Sequence, residues 1–200
     1  MESLISSEER MQQIRRNFLE ANQLLTDWMG NPASFSNFQK AADLMTSSIL
    51  AGNKIIACGN GGSMCDAMHF AEELSGRFRQ DRKALPAVAV SDPSHLTCVA
   101  NDYGFDQVFS RYVEALGKPG DVLLAISTSG NSPNVIKAAE AALHGGLSVV
   151  ALTGNQGGTL GSLASVELRI EWNGYSDRIQ ELHTLILHSL VQYIETGIGG

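Results

Sequence analysis

The 200-residue sequence predicts an α/β fold: a doubly wound, five-stranded parallel sheet flanked by helices, with two further helices ahead of it. Three observations carry that expectation. Short β-branched or apolar runs recur along the chain, segments with helical spacing lie between most of them, and Gly/Ser-rich turns follow the runs. Strands that alternate with helices build a parallel sheet covered on both faces, which is why the runs are apolar throughout rather than alternating.

Taken in order, Met11, Ile14, Phe18, Leu25 and Trp28 recur at three, four and seven residues, as on one face of an amphipathic helix. A second helical stretch runs from about Phe38 to Leu50 and stops before Gly52. The strands are expected at Lys54 to Cys58, Ala87 to Val90, Val122 to Ser127, Ser148 to Thr153 and Val166 to Ile170. The tail from Asp177 to about Thr196 carries Ile179, Leu182, Leu185, Ile186, Leu187, Leu190, Val191 and Ile194, apolar around too much of the helical wheel for solvent, and is expected to pack between subunits. Residues 1–52 are thus read as helices integral to the fold and the oligomer, and 53–200 as the α/β unit of a single domain.

Composition narrows the class. A 44% hydrophobic content with 18% charged residues fits one well-filled core. The formal net charge of −7 argues against a nucleic-acid surface, which needs a wide field of the opposite sign. Three cysteines, Cys58, Cys65 and Cys98, exclude a full disulfide framework and suit reduced thiols. The first thirty residues lack the layout of a signal peptide, and no apolar stretch reaches the ~18 residues that span a bilayer, so a cytoplasmic protein without a membrane partner is expected.

Two loops look chemical. Gly59, Asn60, Gly61, Gly62 and Ser63 follow the first strand, and Ser127, Thr128, Ser129, Gly130, Asn131 and Ser132 follow the third, with Pro133 next. Both fall at the carboxyl ends of strands, where open α/β sheets bind ligands, and unpaired N–H groups at a helix start beside hydroxyls suit a phosphate. Either loop alone fits an ordinary turn with a capping Asn131 or Ser132 equally well. Neither is a nucleotide motif: Met64 stands where G-x-G-x-x-G needs its third glycine, and no G-K-S or G-K-T occurs.

On the helix after the first loop, His69 and Glu73 stand one turn apart on one face, a spacing that grips a metal ion or makes a plain surface contact. Glu72 beside them reads as solvated. In the last helix, Gln180, His183 and His188 are polar points in an apolar segment, so they need partners, whether a metal or a core hydrogen-bond network.

At these residues the chain resembles the phosphoheptose isomerases of the sugar-isomerase (SIS) superfamily, through CGNGGS, DAMHFAEELSGR, ISTSGNS, ALTG and DRIQELH, covering about Lys54 to His188. The resemblance implies an SIS-type, flavodoxin-like sandwich that converts sedoheptulose 7-phosphate to D-glycero-D-manno-heptose 7-phosphate, an early step toward ADP-heptose and the lipopolysaccharide core. It implies one zinc per subunit on His69, Glu73, Gln180 and His188, and a homotetramer whose sites draw on neighbouring subunits. It further implies phosphosugar contacts from Asn60, Gly61, Gly62, Ser63, Glu73, Asn101, Asp102, Ser127, Thr128, Ser129, Ser132, Asp177 and Gln180.

Aldose–ketose interconversion passes through an enediol and needs a base, an acid and a stabiliser of negative oxygen. Glu73 is expected as the base and His188 as the acid or proton shuttle, with Asp177 and His183 in reserve. The rise along a helix sets Gln180 and His188 roughly 12 Å apart, so one ion shared by both requires a bent helix or a site shared between subunits. The competing reading is a non-catalytic phosphosugar-fold scaffold that binds the replication initiator. The paired Glu73 and His188 speak against it.

Overall fold

The structure is a computed structural model, and it describes residues 5–199. Two helices come first, α1 (Ser7–Gly30) and α2 (Pro32–Leu50). There follow β1 (Ile55–Gly59), α3 (Gly62–Ser75), β2 (Ala87–Ala89), α4 (Pro93–Tyr103), a 3-10 turn (Phe105–Gln107) and α5 (Ser110–Leu116). The chain then runs through β3 (Val122–Ser127), α6 (Pro133–His144), β4 (Ser148–Gly154), α7 (Gly158–Leu163), β5 (Val166–Ile170) and α8 (Ser176–Ile198).

All five strands are parallel, in the order β2-β1-β3-β4-β5. Crossover helices cover both faces, and β1, β3 and most of β4 are accordingly buried along their length. One face packs Ile55, Ala57, Leu124, Ile126 and Leu152 against α2, α3 and α8. The other packs Ile56, Cys58, Leu123, Ala125 and Ala151 against α4, α5 and α6. The direction of winding reverses between β1 and β3, so the loops leaving these two neighbours flank the crevice where such sheets take ligands.

The expected strands are all present within a residue or two. The second helix starts earlier than expected, because Asn31 caps it by accepting from the Ala33 N–H and Pro32 opens its first turn without losing a bond. In the last helix Ile179, Leu182, Ile186, Leu187, Leu190, Val191 and Ile194 are buried inside their own chain, which accounts for most of its apolar wheel, while Leu185 is 45% exposed. Unpartnered apolar surface lies also on α1, where Met11, Ile14, Phe18 and Leu19 are exposed.

Candidate active site

The first loop is shaped by its glycines. Gly61 takes φ +55°, a conformation open to glycine at little cost, and turns β1 into α3 with no side-chain cap. A Cβ on Gly62 would stand 2.5 Å from Gln180 Nε2, so the carboxamide of α8 lies directly against this turn. The second loop begins at buried Ser127, whose Oγ lies 3.1 Å from Ser132 Oγ and 3.5 Å from Ser129 Oγ. Ser132 occupies the N-cap of α6 without a side-chain capping bond, and Asn131 turns away to accept from the N–H and hydroxyl of Thr159. The capping alternative therefore fails for Ser132, whereas Asn131 does serve a helix start, that of α7 (Gly158–Leu163), through the Thr159 N–H. Three hydroxyls and two uncapped helix starts converge at the crevice, an arrangement complementary to a phosphate.

Asn60 and Asn134 join the two loops by a reciprocal amide pair, each Nδ2 donating to the other's Oδ1 at 2.8 Å. The Asn60 side chain thus braces the loops, leaving one N–H and one lone pair for a ligand. Asn134 was not legible as part of the site, since nothing in sequence links positions 74 residues apart.

Helices α3 and α8 run side by side in the same direction. Gln180 meets Gly62, Thr184 Oγ1 donates to Asp66 Oδ1 at 2.8 Å, and His188 meets His69. This register gathers His69, Glu73 and His188, whose ligand atoms all lie within 4.8 Å of one another; among the described residues no other His, Cys, Asp or Glu group of three converges so. His69 Nε2 is 2.7 Å from His188 Nε2 and 3.6 Å from Glu73 Oε1. Phe78 stacks on the His188 ring with centroids 5.6 Å apart. Glu72, expected to be merely solvated, has Oε1 3.2 Å from His69 Nδ1, which favours the tautomer with its proton on Nδ1 and its lone pair on Nε2.

Two imidazole nitrogens and a carboxylate fit a divalent ion of borderline softness. Tetrahedral ligation at about 2.05 Å sets two nitrogens about 3.3 Å apart, so the rings need part by only about half an ångström. Gln180 sits two turns before His188 on one uninterrupted helix, with its carboxamide against Gly62 at the loop end of the groove.

The remaining expected residues divide. Asn101 and Asp102 are exposed on the last turn of α4, where Asn101 Nδ2 donates to Asp102 Oδ1 at 2.7 Å, and no hydrogen bond links either to the loops. Exposed Asp177 accepts from the Arg178 guanidinium at 2.9 Å, which with the Arg178 N–H holds its carboxyl below the usual range. That makes it a poor proton donor near neutrality. His183 is fully buried, donates Nε2–H to the Thr153 carbonyl at 3.0 Å, and is pushed down to about 4 by burial. It pins α8 to β4, and its reserve role in acid–base work gives way to the core reading.

A winding reversal flanked by two phosphate-complementary loops, with an acid–imidazole cluster further along the groove between α3 and α8, is the build of an α/β domain suited to phosphorylated ligands. The family model described as "SIS domain" matches residues 9–154. A phosphoheptose isomerase of Pectobacterium atrosepticum is 55% identical over 91% of this chain and 94% of its own. Among solved structures, a phosphoheptose isomerase from Francisella tularensis superimposes with TM-score 0.89 at 37% identity, covering 94% of this chain and 98% of that one. That of Neisseria gonorrhoeae gives 0.87 at 40% identity, over 93% and 98%. The chain belongs to the phosphoheptose isomerase family of SIS-domain proteins. The scaffold alternative finds no support in these relatives.

Proposed function

We propose that the protein isomerises sedoheptulose 7-phosphate to D-glycero-D-manno-heptose 7-phosphate. The observation that carries this reading is the meeting of His69, Glu73 and His188 within 4.8 Å beside an anion-binding crevice, in a chain of this family. Ser127, Thr128, Ser129, Ser132 and the turn from Asn60 to Ser63 hold the phosphate, so that the reactive end of the sugar extends toward α3 and α8. From the ketose, Glu73 takes a proton from C1 and returns it at C2. His188 delivers a proton to O2 and removes one from O1, so the two groups interchange carbonyl and hydroxyl with no net proton change.

Zinc is the proposed ion, held by His69, Glu73 and His188; it would supply a Lewis acid that polarises the carbonyl and steadies negative oxygen, and Glu73 and His188 move protons only with their carboxylate and Nε2 atoms off the ion. Gln180, whose carboxamide lies against the Gly62 turn, is proposed to contact the sugar and to serve as a fourth ligand of the ion where subunits share a site. Asn101, Asp102 and Asp177, all exposed in one chain, are proposed to reach the sugar in that assembly. The homotetramer is supported by the exposed apolar residues of α1 and by an apolar groove of Leu25, Trp28, Phe35, Phe38, Leu182 and Leu185 between α1, α2 and α8. No helix among the described residues is long and apolar enough to cross a membrane, and free cysteines suit the cytoplasm, where ADP-heptose for the lipopolysaccharide core would be made.

The test is incubation of the purified protein with sedoheptulose 7-phosphate and with pentose and hexose ketose phosphates, with and without a chelator. The heptose is expected to be converted fastest, with chelator-sensitive turnover. Preference for a shorter sugar would sink the substrate assignment.

A further inference from the structure

Arg82 lies in the connection between α3 and β2, with its side chain only 5% exposed. Its Nε donates to Glu195 Oε1 at 2.8 Å, and that carboxylate is equally buried on α8. One terminal nitrogen donates to the Glu73 carbonyl at 2.7 Å, and the other to the carbonyls of Leu74 at 2.8 Å, Gly76 at 3.3 Å and Lys83 at 3.2 Å. The last carbonyls of a helix have no partner within it, so the guanidinium closes the end of α3 while tethering that end to α8.

The tether sits against the candidate site. It grips the backbone of Glu73 itself, and Glu195 follows His188 by seven residues, about 10 Å along α8. The same connection supplies Phe78, stacked on the His188 ring at an interplanar angle of 28°. Apolar burial does not need the tether, since Phe70, Leu74, Leu187 and Val191 already share one core. What packing leaves soft is the sliding of one helix along the other, and a planar guanidinium that bonds the α3 carbonyls through its terminal nitrogens and the α8 carboxylate through Nε opposes that motion directionally.

We propose that Arg82, through Glu195, is a positioning residue for the metal and proton-transfer site, fixing the gap in which His69 and Glu73 face His188. A misplacement of about 1 Å at such a site costs about 100-fold in rate, whereas the phosphate loops lie at the opposite end of α3. The proposal rests on the isomerase reading for its turnover arm alone, because metal and phosphate binding are read without catalysis.

The experiment compares wild type with Arg82→Lys, which keeps the charge and loses the fork, and Glu195→Gln, which keeps the shape and loses the charge. Circular dichroism reports folding, a chromophoric chelator reports zinc affinity, and inorganic phosphate reports the loops. Both variants are expected to fold and to bind phosphate within about twofold of wild type, while zinc affinity and kcat fall about tenfold or more and KM stays within about threefold. Folded variants with unchanged zinc affinity and kcat overturn the proposal. So does loss of phosphate and zinc binding in parallel, or failure of both variants to fold, since the pair would then serve the scaffold at large. A wild-type protein without zinc affinity overturns it as well, whereas one that binds zinc without isomerising the heptose removes the activity and leaves the tether tested.

Discussion

Glu73 is one-sixth exposed and lies on the inner face of α3, opposite an imidazole 115 residues further along the chain. In the proposed role of base at carbon, its carboxylate cannot be replaced by an amide of the same shape. Glu73→Gln is expected to lower kcat by about 100- to 10 000-fold while phosphosugar binding changes little, as read by isomerase assay and by equilibrium binding. Near-normal turnover would remove Glu73 from that role. His183 gives a second check, because its folded pKa of about 4 lies below the ordinary 6.5. The unfolded imidazole takes a proton where the folded one does not, so this contribution is complete above pH 6.5 and lost as pH falls toward 4, by up to about 3 kcal/mol. Asp66, whose pKa burial raises, acts with the opposite sign and offsets part of the loss. Urea unfolding at pH 7.5 and 5 should show a shallower acid loss in His183→Gln, which keeps a donor for Thr153; equal slopes would assign the acid sensitivity elsewhere.

The turn between β1 and α3 depends on a close approach. Gly62 does not use positive φ, so Gly62→Ala strains no backbone and acts only by pushing the Gln180 carboxamide aside. Unfolding free energy is expected to change by less than about 1 kcal/mol, whereas KM for the heptose phosphate rises about tenfold. An unchanged KM in urea-stable protein would mean that Gln180 does not contact the sugar. Elements of this kind were legible in sequence to different degrees. The five strands announced themselves as apolar runs closed by Gly/Ser turns, and only their ends moved. The start of α2 was missed although Asn31 and Pro32 signal it, because the apolar period becomes regular only later. The wheel of α8 was read correctly as buried, and most of it is covered by the chain's own core rather than left for a partner, since periodicity tells that a face is covered and not what covers it.

The parallel register of α3 on α8 is a property of the folded chain, and so are the links it makes possible. Asn60 with Asn134, Glu72 behind His69, and Arg82 with Glu195 each join residues whose types alone say nothing until topology brings them together. The loops and the His69 and Glu73 pair could be nominated from residue types and spacing, whereas His188 joined them only through the family resemblance, its spacing in α8 fitting a core hydrogen-bond network equally well. Their convergence could not be nominated from spacing, and the whole account depends on it. Its most direct test is a zinc titration of wild type, His69→Ala, His188→Ala and the double variant against a chromophoric chelator. One ion per subunit is expected, with each single substitution weakening binding about 100-fold or more and the double variant adding little beyond either, as for two ligands of one ion. Wild-type zinc affinity in both single variants would contradict a shared site between α3 and α8.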